Sequence, residues 1–253
     1  MAAGGRMKRR AAGPRVRATA RTGKRSSRPK SAAARARRVD YLEQVARDLA
    51  AELQHRVNNI LATVRAILGH TRETTTTLQH FVEAFDGRLS ALARSQMLLT
   101  RGPDGHVDLH ELLTDELIAH TARIGENAVV SGPAIWLTPR AAEMLAVAFH
   151  ELAANAVKYG ALAAPSGRID VDWRVEANRN GRRLLFYWRE NGVRLQQAAA
   201  YRGFGAELVE EGLPYTFGGA ARLQFHRDGL ECVMEFPLAP KHFVMASEAK
   251  ARG

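Results

Sequence analysis

The sequence has 253 residues, and its 37 lysines and arginines against 26 acidic residues give a formal net charge of +11. Residues 1–38 hold 14 of the basic residues and no acid, so the rest of the chain has a net charge of −3. The single cysteine, Cys232, excludes an intrachain disulfide and a cysteine-based zinc site. No stretch approaches the ~20 apolar residues of a membrane-spanning helix, and a cytoplasmic protein is therefore expected.

Residues 1–38 are predicted to form a disordered basic tail. Alanine, arginine, serine, glycine and proline dominate this segment, and they offer too little apolar surface to offset the entropy of ordering. Three interpretations stay open. The tail is a solvated segment without a specific role, or a contact for an anionic surface such as nucleic acid, lipid headgroups or an acidic protein. An arginine-rich start without acids is also typical of an organelle transit peptide, which is the minor alternative.

Residues 39–101 predict an antiparallel helical hairpin. Apolar residues recur at steps of three and four from residue 41 to about 70 and again from 78 to 99, with a polar break at 73–77. One hairpin cannot cover both sides of its apolar stripe, and pairing with a second copy in a four-helix bundle is the usual solution. We therefore predict a homodimer through this region.

After the turn-forming segment 101–105 the pattern changes, which marks a domain boundary. The predicted elements are a helix over 109–120, strands at 128–131 and 134–138, a long helix over 139–159, strands at 168–175 and 183–189, a short helix at about 205–213, and strands at 220–226 and 230–236. The predicted fold class is α+β, with a mixed sheet covered by helices on one face over residues 106–240. Residues 241–253 are expected to be a C-terminal tail.

His55 is the first candidate site residue. At 100° per residue, it lies about 170° from the centre of the apolar stripe formed by its helical neighbours, so its imidazole is predicted to be exposed. A surface histidine without a role is the commonest explanation of such a position. The alternative is a nucleophile whose neutral ring attacks a phosphoryl group, because a partner site must then reach it.

The helix over 139–159 carries a second candidate set. Glu151, Asn155 and Lys158 fall on one flank of this helix, at spacings of four and three residues. An amide oxygen can ligate Mg²⁺, an ammonium can contact phosphates, and a carboxylate can polarise an attacking group. An ordinary polar edge of an amphipathic helix would give the same pattern.

Two glycine-bearing segments follow. The strand Phe186–Gly192 ends in Glu190 and a glycine turn, and Arg202–Leu208 places two glycines ahead of a helix. Glycines let the backbone approach phosphates, and a helix N-terminus attracts anions. Each segment is weak evidence alone. The stronger evidence is the order of four features along the chain: the exposed histidine, the polar flank of a long helix, the acid–glycine turn and the glycines ahead of a helix.

In that order the features resemble the HWE subfamily of the sensor histidine kinases. The family is named for a histidine in the asparagine-bearing helix and for a Trp-x-Glu pair in the next motif, which match His150, Trp188 and Glu190. The stretch His150–Leu162 is the strongest match, and the resemblance spans about residues 42–238. It implies a dimerisation and phosphotransfer hairpin followed by a GHKL-type ATP-binding domain.

The resemblance also implies roles for the candidate residues. His55 would be the phosphoacceptor, Asn155 would ligate the Mg²⁺ that bridges the ATP phosphates, Glu151 would be the general base or would orient His55, and Lys158 would neutralise phosphate charge. The remaining nucleotide-binding residues implied are His150, Trp188, Glu190 at the adenine position, Gly192 beside it, and Gly203, Phe204 and Gly205 in the ATP lid.

The resemblance implies a protein-histidine kinase of a bacterial two-component system, with ATP as substrate and Mg²⁺ as cofactor. The γ-phosphoryl group would pass to His55 and then to an aspartate in the receiver domain of a response regulator. Related kinases place a sensory domain before the hairpin, and here only the basic tail precedes it. The input is therefore expected from an upstream partner protein or from the tail.

Two departures from the family pattern leave an alternative open. Asn58 stands where the family has lysine, and Val193 stands where it has a glycine after Gly192. A histidine phosphotransferase or scaffold with a degenerate ATP site would tolerate both, although the intact Glu151, Asn155 and Lys158 set argues against it. A third alternative, a nucleic-acid-binding protein, rests on residues 1–38 alone.

Overall fold

The computed structural model describes residues 28–102, 105–178, 181–194 and 203–245. Parts of several predicted segments lie outside the described residues: 1–27 of the basic tail, 103–104 and 179–180 of two turns, Arg202 of the second glycine-bearing segment together with 195–201 before it, and 246–253 of the C-terminal tail. Within the described part of the chain, no helix is both long and apolar enough to cross a membrane.

The element order confirms the predicted α+β class. The helices are α1 (Arg28–Thr74), α2 (Leu78–Arg101), α3 (Leu109–Ala119), α4 (Pro139–Lys158), α5 (Phe204–Glu207) and α6 (Leu213–Phe217), with a 3₁₀ turn at Ala161–Ala163 and a π turn at Leu208–Gly212. The strands are β1 (Val107–Asp108), β2 (Ala128–Ser131), β3 (Ile135–Leu137), β4 (Arg168–Asn178), β5 (Gly181–Asn191), β6 (Ala220–His226), β7 (Gly229–Pro237) and β8 (Phe243–Met245).

The chain divides between Asn58 and Asn59 into two compact units. In the first unit α1 begins at Arg28, so this helix includes residues 28–38 of the predicted tail, where alanine and arginine are strong helix formers. Side chains from residue 34 to 58 are all exposed, including His55 as predicted.

Helix α2 belongs to the second unit, which differs from the predicted boundary at 101–105. Leu98 and Leu99 of α2 join the core of the α+β domain. Leu92 forms a smaller apolar cluster with Ile67 of α1, Val147 of α4 and Phe204 of α5. Because α2 buries its apolar face against the elements that follow it, the turn after α2 does not separate two cores.

The main sheet has five strands in the order β2-β4-β5-β7-β6. Strands β2 and β4 are parallel, and the other neighbours are antiparallel, which confirms the predicted mixed sheet. Helix α4 covers one face, where the rings of Phe149 on α4 and Phe186 on β5 stack with centroids 5.4 Å apart. This packing fixes the position of the polar flank of α4.

A smaller antiparallel sheet joins β1, β3 and β8. The prediction that residues 241–253 form a tail is therefore wrong for Phe243–Met245, which pair with β3. Phe243 is buried against Phe217 and Phe236, with ring centroids 5.2 and 6.3 Å apart. The aromatic side chain gives this short strand a place in the core.

Candidate functional site

Helix α4 carries the three residues of the predicted metal and phosphate set. Thr138 and Pro139 begin the helix, and the backbone N–H groups of Tyr159 and Gly160 donate to the Asn155 carbonyl where it ends. Glu151 and Asn155 are half-buried and Lys158 is exposed. The amide and the ammonium therefore lie where an external phosphate and its metal ion can reach them.

The Glu151 carboxylate is paired with an arginine that the sequence analysis did not single out. Arg88 of α2 donates from Nε to Oε1 of Glu151 at 2.8 Å and from Nη2 to Oε2 at 3.3 Å. Its Nη1 donates to the Thr71 hydroxyl at 2.6 Å. Arg88 is only 5% exposed. A bidentate, charge-assisted pair of this kind is among the stronger polar contacts in proteins.

The segment that follows the undescribed residues 195–202 packs against the same pair. A Cβ built on Gly205 would meet the Cβ of Glu151 at 2.7 Å, so glycine is needed for this approach of α5 to α4. Phe204 is buried, and its ring lies 4.0 Å from the Arg88 guanidinium carbon. The side chain of Phe204 therefore lies in an apolar cluster, whereas Gly203 is exposed with open space around it.

Glu190 at the end of β5 is held by two donors. The indole N–H of Trp188 donates to Oε1 at 3.2 Å, and the backbone N–H of Ala161 donates to Oε2 at 2.8 Å. Burial raises the pKa of Glu190 to about 7, and these two hydrogen bonds offset the shift only in part. The contact ties β5 to the 3₁₀ turn directly after α4.

Gly192 has a backbone conformation that favours glycine, with φ of +75°. A Cβ at this position would meet the Ser166 carbonyl oxygen at 2.5 Å. The turn after β5 can therefore pass close to the segment ahead of β4. This is a structural reason for the glycine, independent of any ligand.

His150 does not lie with the other predicted site residues. Its Nδ1 is 3.7 Å from Oε2 of Glu116 on α3, and a Cβ on Gly87 of α2 would meet its Nε2 at 2.6 Å. Both Glu116 oxygens accept from Arg94 of α2, at 2.9 and 2.7 Å. Burial raises the pKa of Glu116, but the neighbouring His150 ring and the hydrogen bonds from Arg94 bring it below its usual value.

Glu116, His120 and His150 each offer a ligand atom within 4.8 Å of the others. However, Arg94 already balances the charge of Glu116, which is 1% exposed. A divalent cation there would add two positive charges to a neutral, buried cluster. The cluster is therefore a junction of α2, α3 and α4, and we do not assign it a metal.

A cavity of about 620 Å³ lies between the second part of α1, the first half of α4 and the helices after residue 203. Ile67, Val147 and Phe204 are among its apolar lining residues, and Glu143 and Arg140 are among its charged ones. Asn155, Lys158 and Glu190 do not line it. Phe204 is thus the predicted nucleotide-binding residue that the described cavity shares, whereas the polar flank of α4 and the end of β5 lie outside it.

Comparisons with known proteins agree with the motifs. Residues 52–134 match the family model described as HWE histidine kinase. A curated relative, the blue-light-activated histidine kinase 1 of Erythrobacter litoralis, is 34% identical over 197 residues, which cover 76% of this chain and 53% of that protein. The blue-light-activated histidine kinase of Rhizobium johnstonii is 31% identical over 203 residues, covering 80% and 57%.

The chain belongs to the HWE histidine kinase family. It spans about half the length of these two curated relatives. Among solved structures, the blue-light activated histidine kinase of Erythrobacter litoralis aligns with a TM-score of 0.49 at 18% identity, over 74% of this chain and 58% of that one.

The structure shows the surroundings of the three residues that name the HWE family. His150 is at the junction of three helices, and Trp188 is fully buried with its indole N–H on Glu190. Trp188 and Phe204 are both buried, and their contacts with nucleotide stay predictions. The indole N–H of Trp188 contacts Glu190, and the His150 ring faces α2 and α3.

Sequence reasoning missed Arg88 and Glu116, which lie beside predicted site residues. Both are charged positions on amphipathic helices, where a solvated side chain is the ordinary expectation. The only available signal is that each stands where helical periodicity puts apolar neighbours: Arg88 lies among Phe85, Leu89 and Leu92, and Glu116 among Leu112, Leu113 and Leu117.

Proposed function

We propose that this HWE kinase binds ATP with Mg²⁺, transfers the γ-phosphoryl group to His55, and passes it to an aspartate of a response regulator receiver domain. The observation that carries the proposal is the arrangement on α4. An amide, an ammonium and a carboxylate share one flank of this helix, and the glycine-bearing start of α5 packs against the carboxylate. His55 supplies an exposed acceptor.

Each candidate residue would have a separate role in phosphoryl transfer, set by its position and its charge. Asn155 would hold the Mg²⁺ ion, which neutralises developing charge on the phosphates. Lys158 would contact the phosphates directly. Gly203 and Gly205 would let the backbone near α5 approach them. Glu190 and Gly192 would border the base, because each Glu190 oxygen keeps a second acceptor position after its internal hydrogen bond.

In the first chemical step, a ring nitrogen of His55 forms a bond to the γ-phosphorus as the bond from that phosphorus to ADP breaks. Glu151 would accept the ring proton, which makes it a general base. In the second step, a carboxylate oxygen of the receiver aspartate attacks the phosphorus, and the phosphorus–nitrogen bond breaks. Holding the attacking atom, the phosphorus and the leaving group in line would supply most of the acceleration of phosphoryl transfer.

Purified protein incubated with γ-labelled ATP and Mg²⁺ tests the acceptor. We expect acid-labile, base-stable label that His55→Ala abolishes while ATP affinity stays unchanged. Retained label in His55→Ala would exclude His55 as the acceptor. Label that arrives only from a phosphorylated receiver domain, and never from ATP, would instead identify the histidine phosphotransferase that the sequence leaves open.

Calorimetry tests the metal role of Asn155. Asn155→Ala should remove the Mg²⁺-dependent part of ATP affinity, by a factor on the order of a hundred. Asn127→Ala is a suitable control, because its amide caps a loop at Arg123, distant in sequence from α4. Equal Mg²⁺ dependence in the wild type and Asn155→Ala would contradict the assignment.

The partners follow from the same proposal. The receiver domain is the second substrate, a second copy of the chain would cover the exposed apolar stripe of α1, and an upstream protein would supply the signal. We also propose the cytoplasm as the compartment, because ATP and response regulators meet there. The basic tail, residues 1–38, would contact an anionic surface.

A further inference from the structure

Arg88 makes four contacts that link four helices. Two of its nitrogens donate to the two oxygens of Glu151 on α4, and a third donates to Thr71 on α1. The guanidinium also lies over the Phe204 ring of α5. Thr71 is fully buried, and its own hydroxyl donates to the Ile67 carbonyl at 2.5 Å. The arginine is thus fixed from several sides.

The Glu151 carboxylate is enclosed as a consequence. Arg88 occupies both oxygens from the α2 side, and a Cβ on Gly205 would lie 3.1 Å from Oε2, which places the α5 backbone on another side. These neighbours cover the carboxylate on two sides, and the ring of an acceptor histidine needs open access to one of its oxygens. Release of Arg88 opens one of the covered sides.

We propose that Arg88 is a positioning residue that withholds Glu151 from phosphoryl transfer until α2 releases it. The inference rests on the proposed function, in which Glu151 accepts the proton of His55. Arg88 is not a catalytic residue in this scheme. It acts through Glu151 and sets how often the base is free.

The α2–α4 contact has polar pairs on both sides of an apolar centre. Besides Arg88 and Glu151, Gln96 of α2 donates to Glu143 of α4 at 2.8 Å, and Leu92 and Val147 pack between the two pairs. A buried ion pair also contributes little net stability, because desolvation of its charges offsets most of the attraction. Separation into two solvated charges is therefore accessible to a ligand-driven change.

Steady-state labelling of His55 by ATP and Mg²⁺ tests the proposal in the full chain. Arg88→Gln should raise the maximal labelling rate on the order of tenfold, the factor that loss of a charge-assisted hydrogen bond of ~1.5 kcal/mol gives. The KM for ATP should stay the same, because Arg88 is hydrogen-bonded to the base and to Thr71, and its contact with Phe204 is to a buried ring. A purely structural role would instead lower the rate.

Arg94→Gln is the matched control. Arg94 lies on the same helix and also makes a bidentate pair with a buried glutamate, but that partner is Glu116 and not Glu151. We expect Arg94→Gln to leave the maximal rate unchanged. Arg88→Gln combined with Glu151→Gln should show no gain over Glu151→Gln alone, since the gain requires the freed carboxylate.

Arg88→Lys keeps the test decisive if Arg88→Gln does not fold. Lysine keeps the charge but has no fork to occupy both oxygens, so a smaller gain is expected. The proposed role of Arg88 is overturned if the folded Arg88 variants label at or below the wild-type rate. It is also overturned if Arg94→Gln raises the labelling rate equally. Wild-type protein that never labels on His55 would overturn the proposed function as well.

Discussion

At the scale of single residues, Glu190 is the clearest case of a side chain whose surroundings change its chemistry. It is 1% exposed, and burial raises its pKa to about 7 despite hydrogen bonds from Ala161 and Trp188. The folded state therefore binds a proton at this site that the unfolded state has lost above pH ~4.5. The stability from this group is full below pH ~4.5 and is lost as pH rises through 7.

We predict that Glu190→Gln reduces the pH dependence of unfolding. Between pH 5 and 8 the wild type should lose free energy of unfolding on the order of 3 kcal/mol more than the variant, from a shift of about 2.5 units. Urea unfolding at a series of pH values measures this. Trp173→Phe is a control, since it removes an indole donor to the Pro133 carbonyl and leaves Glu190 alone. Parallel curves for the wild type and Glu190→Gln would contradict the prediction.

At the scale of elements, α5 packs closely against α4 because Gly205 has no side chain. Gly205 approaches the Cβ of Glu151, whereas a Cβ on Gly203 would meet nothing within 4 Å. Gly203 also has φ of −129°, which any residue adopts. The two glycines flank Phe204, but only one of them is required by packing.

We predict that Gly205→Ala displaces α5 and that Gly203→Ala does not. The added methyl group would cost about 1–3 kcal/mol of the free energy of unfolding, because α4 is held by the sheet and cannot retreat. ATP affinity should fall with it if α5 lies beside the phosphates. Thermal unfolding and calorimetry measure the two effects. Equal behaviour of the two variants would show that α5 adapts without loss.

The order of contacts along α2 follows from its antiparallel packing on α4. Arg88 meets Glu151 near the end of α4, and Gln96 meets Glu143 nearer its start, so the two helices run in opposite directions. Between these pairs, Leu92 contributes to the apolar cluster with Val147. The helix expected to serve only a hairpin thus also packs against the α+β domain.

At the scale of the whole molecule, the first unit leaves its apolar side chains uncovered. Val45, Leu49, Leu53 and Val57 recur along one side of α1, and each is between 44% and 58% exposed. An exposed apolar stripe on a long helix is typical of an association surface. His55 lies on the opposite side, where a dimer through the stripe would leave it accessible.

We predict a dimer that Leu49→Lys weakens by at least about a hundredfold. A symmetric interface buries the residue twice, and each buried leucine contributes roughly 1.5–3 kcal/mol. Gln44→Lys adds the same charge on the opposite side of α1 and should leave the dimer intact. Sedimentation equilibrium measures both dissociation constants. A wild-type protein that stays monomeric at high micromolar concentration would refute the dimer.

Local patterns were sufficient for most of the fold. The apolar spacing of α4 predicted its length and the flank that carries Asn155, because 3.6-residue periodicity is a property of the helix itself. Alternation predicted β4 and β5, and the Asp228–Gly229 turn is one that joins two strands. The exposed position of His55 followed from the same geometry.

Tertiary structure alone decided which charges meet. Arg88 and Glu151 are 63 residues apart, and Arg94 and Glu116 are 22 apart. No periodicity relates such positions, since pairing depends on how separate helices pack. The sequence by itself determined the elements, the family motifs and the exposed histidine. Packing determined that α2 joins the second unit, that Trp188 is buried behind Glu190, and that the candidate base Glu151 is held by an arginine.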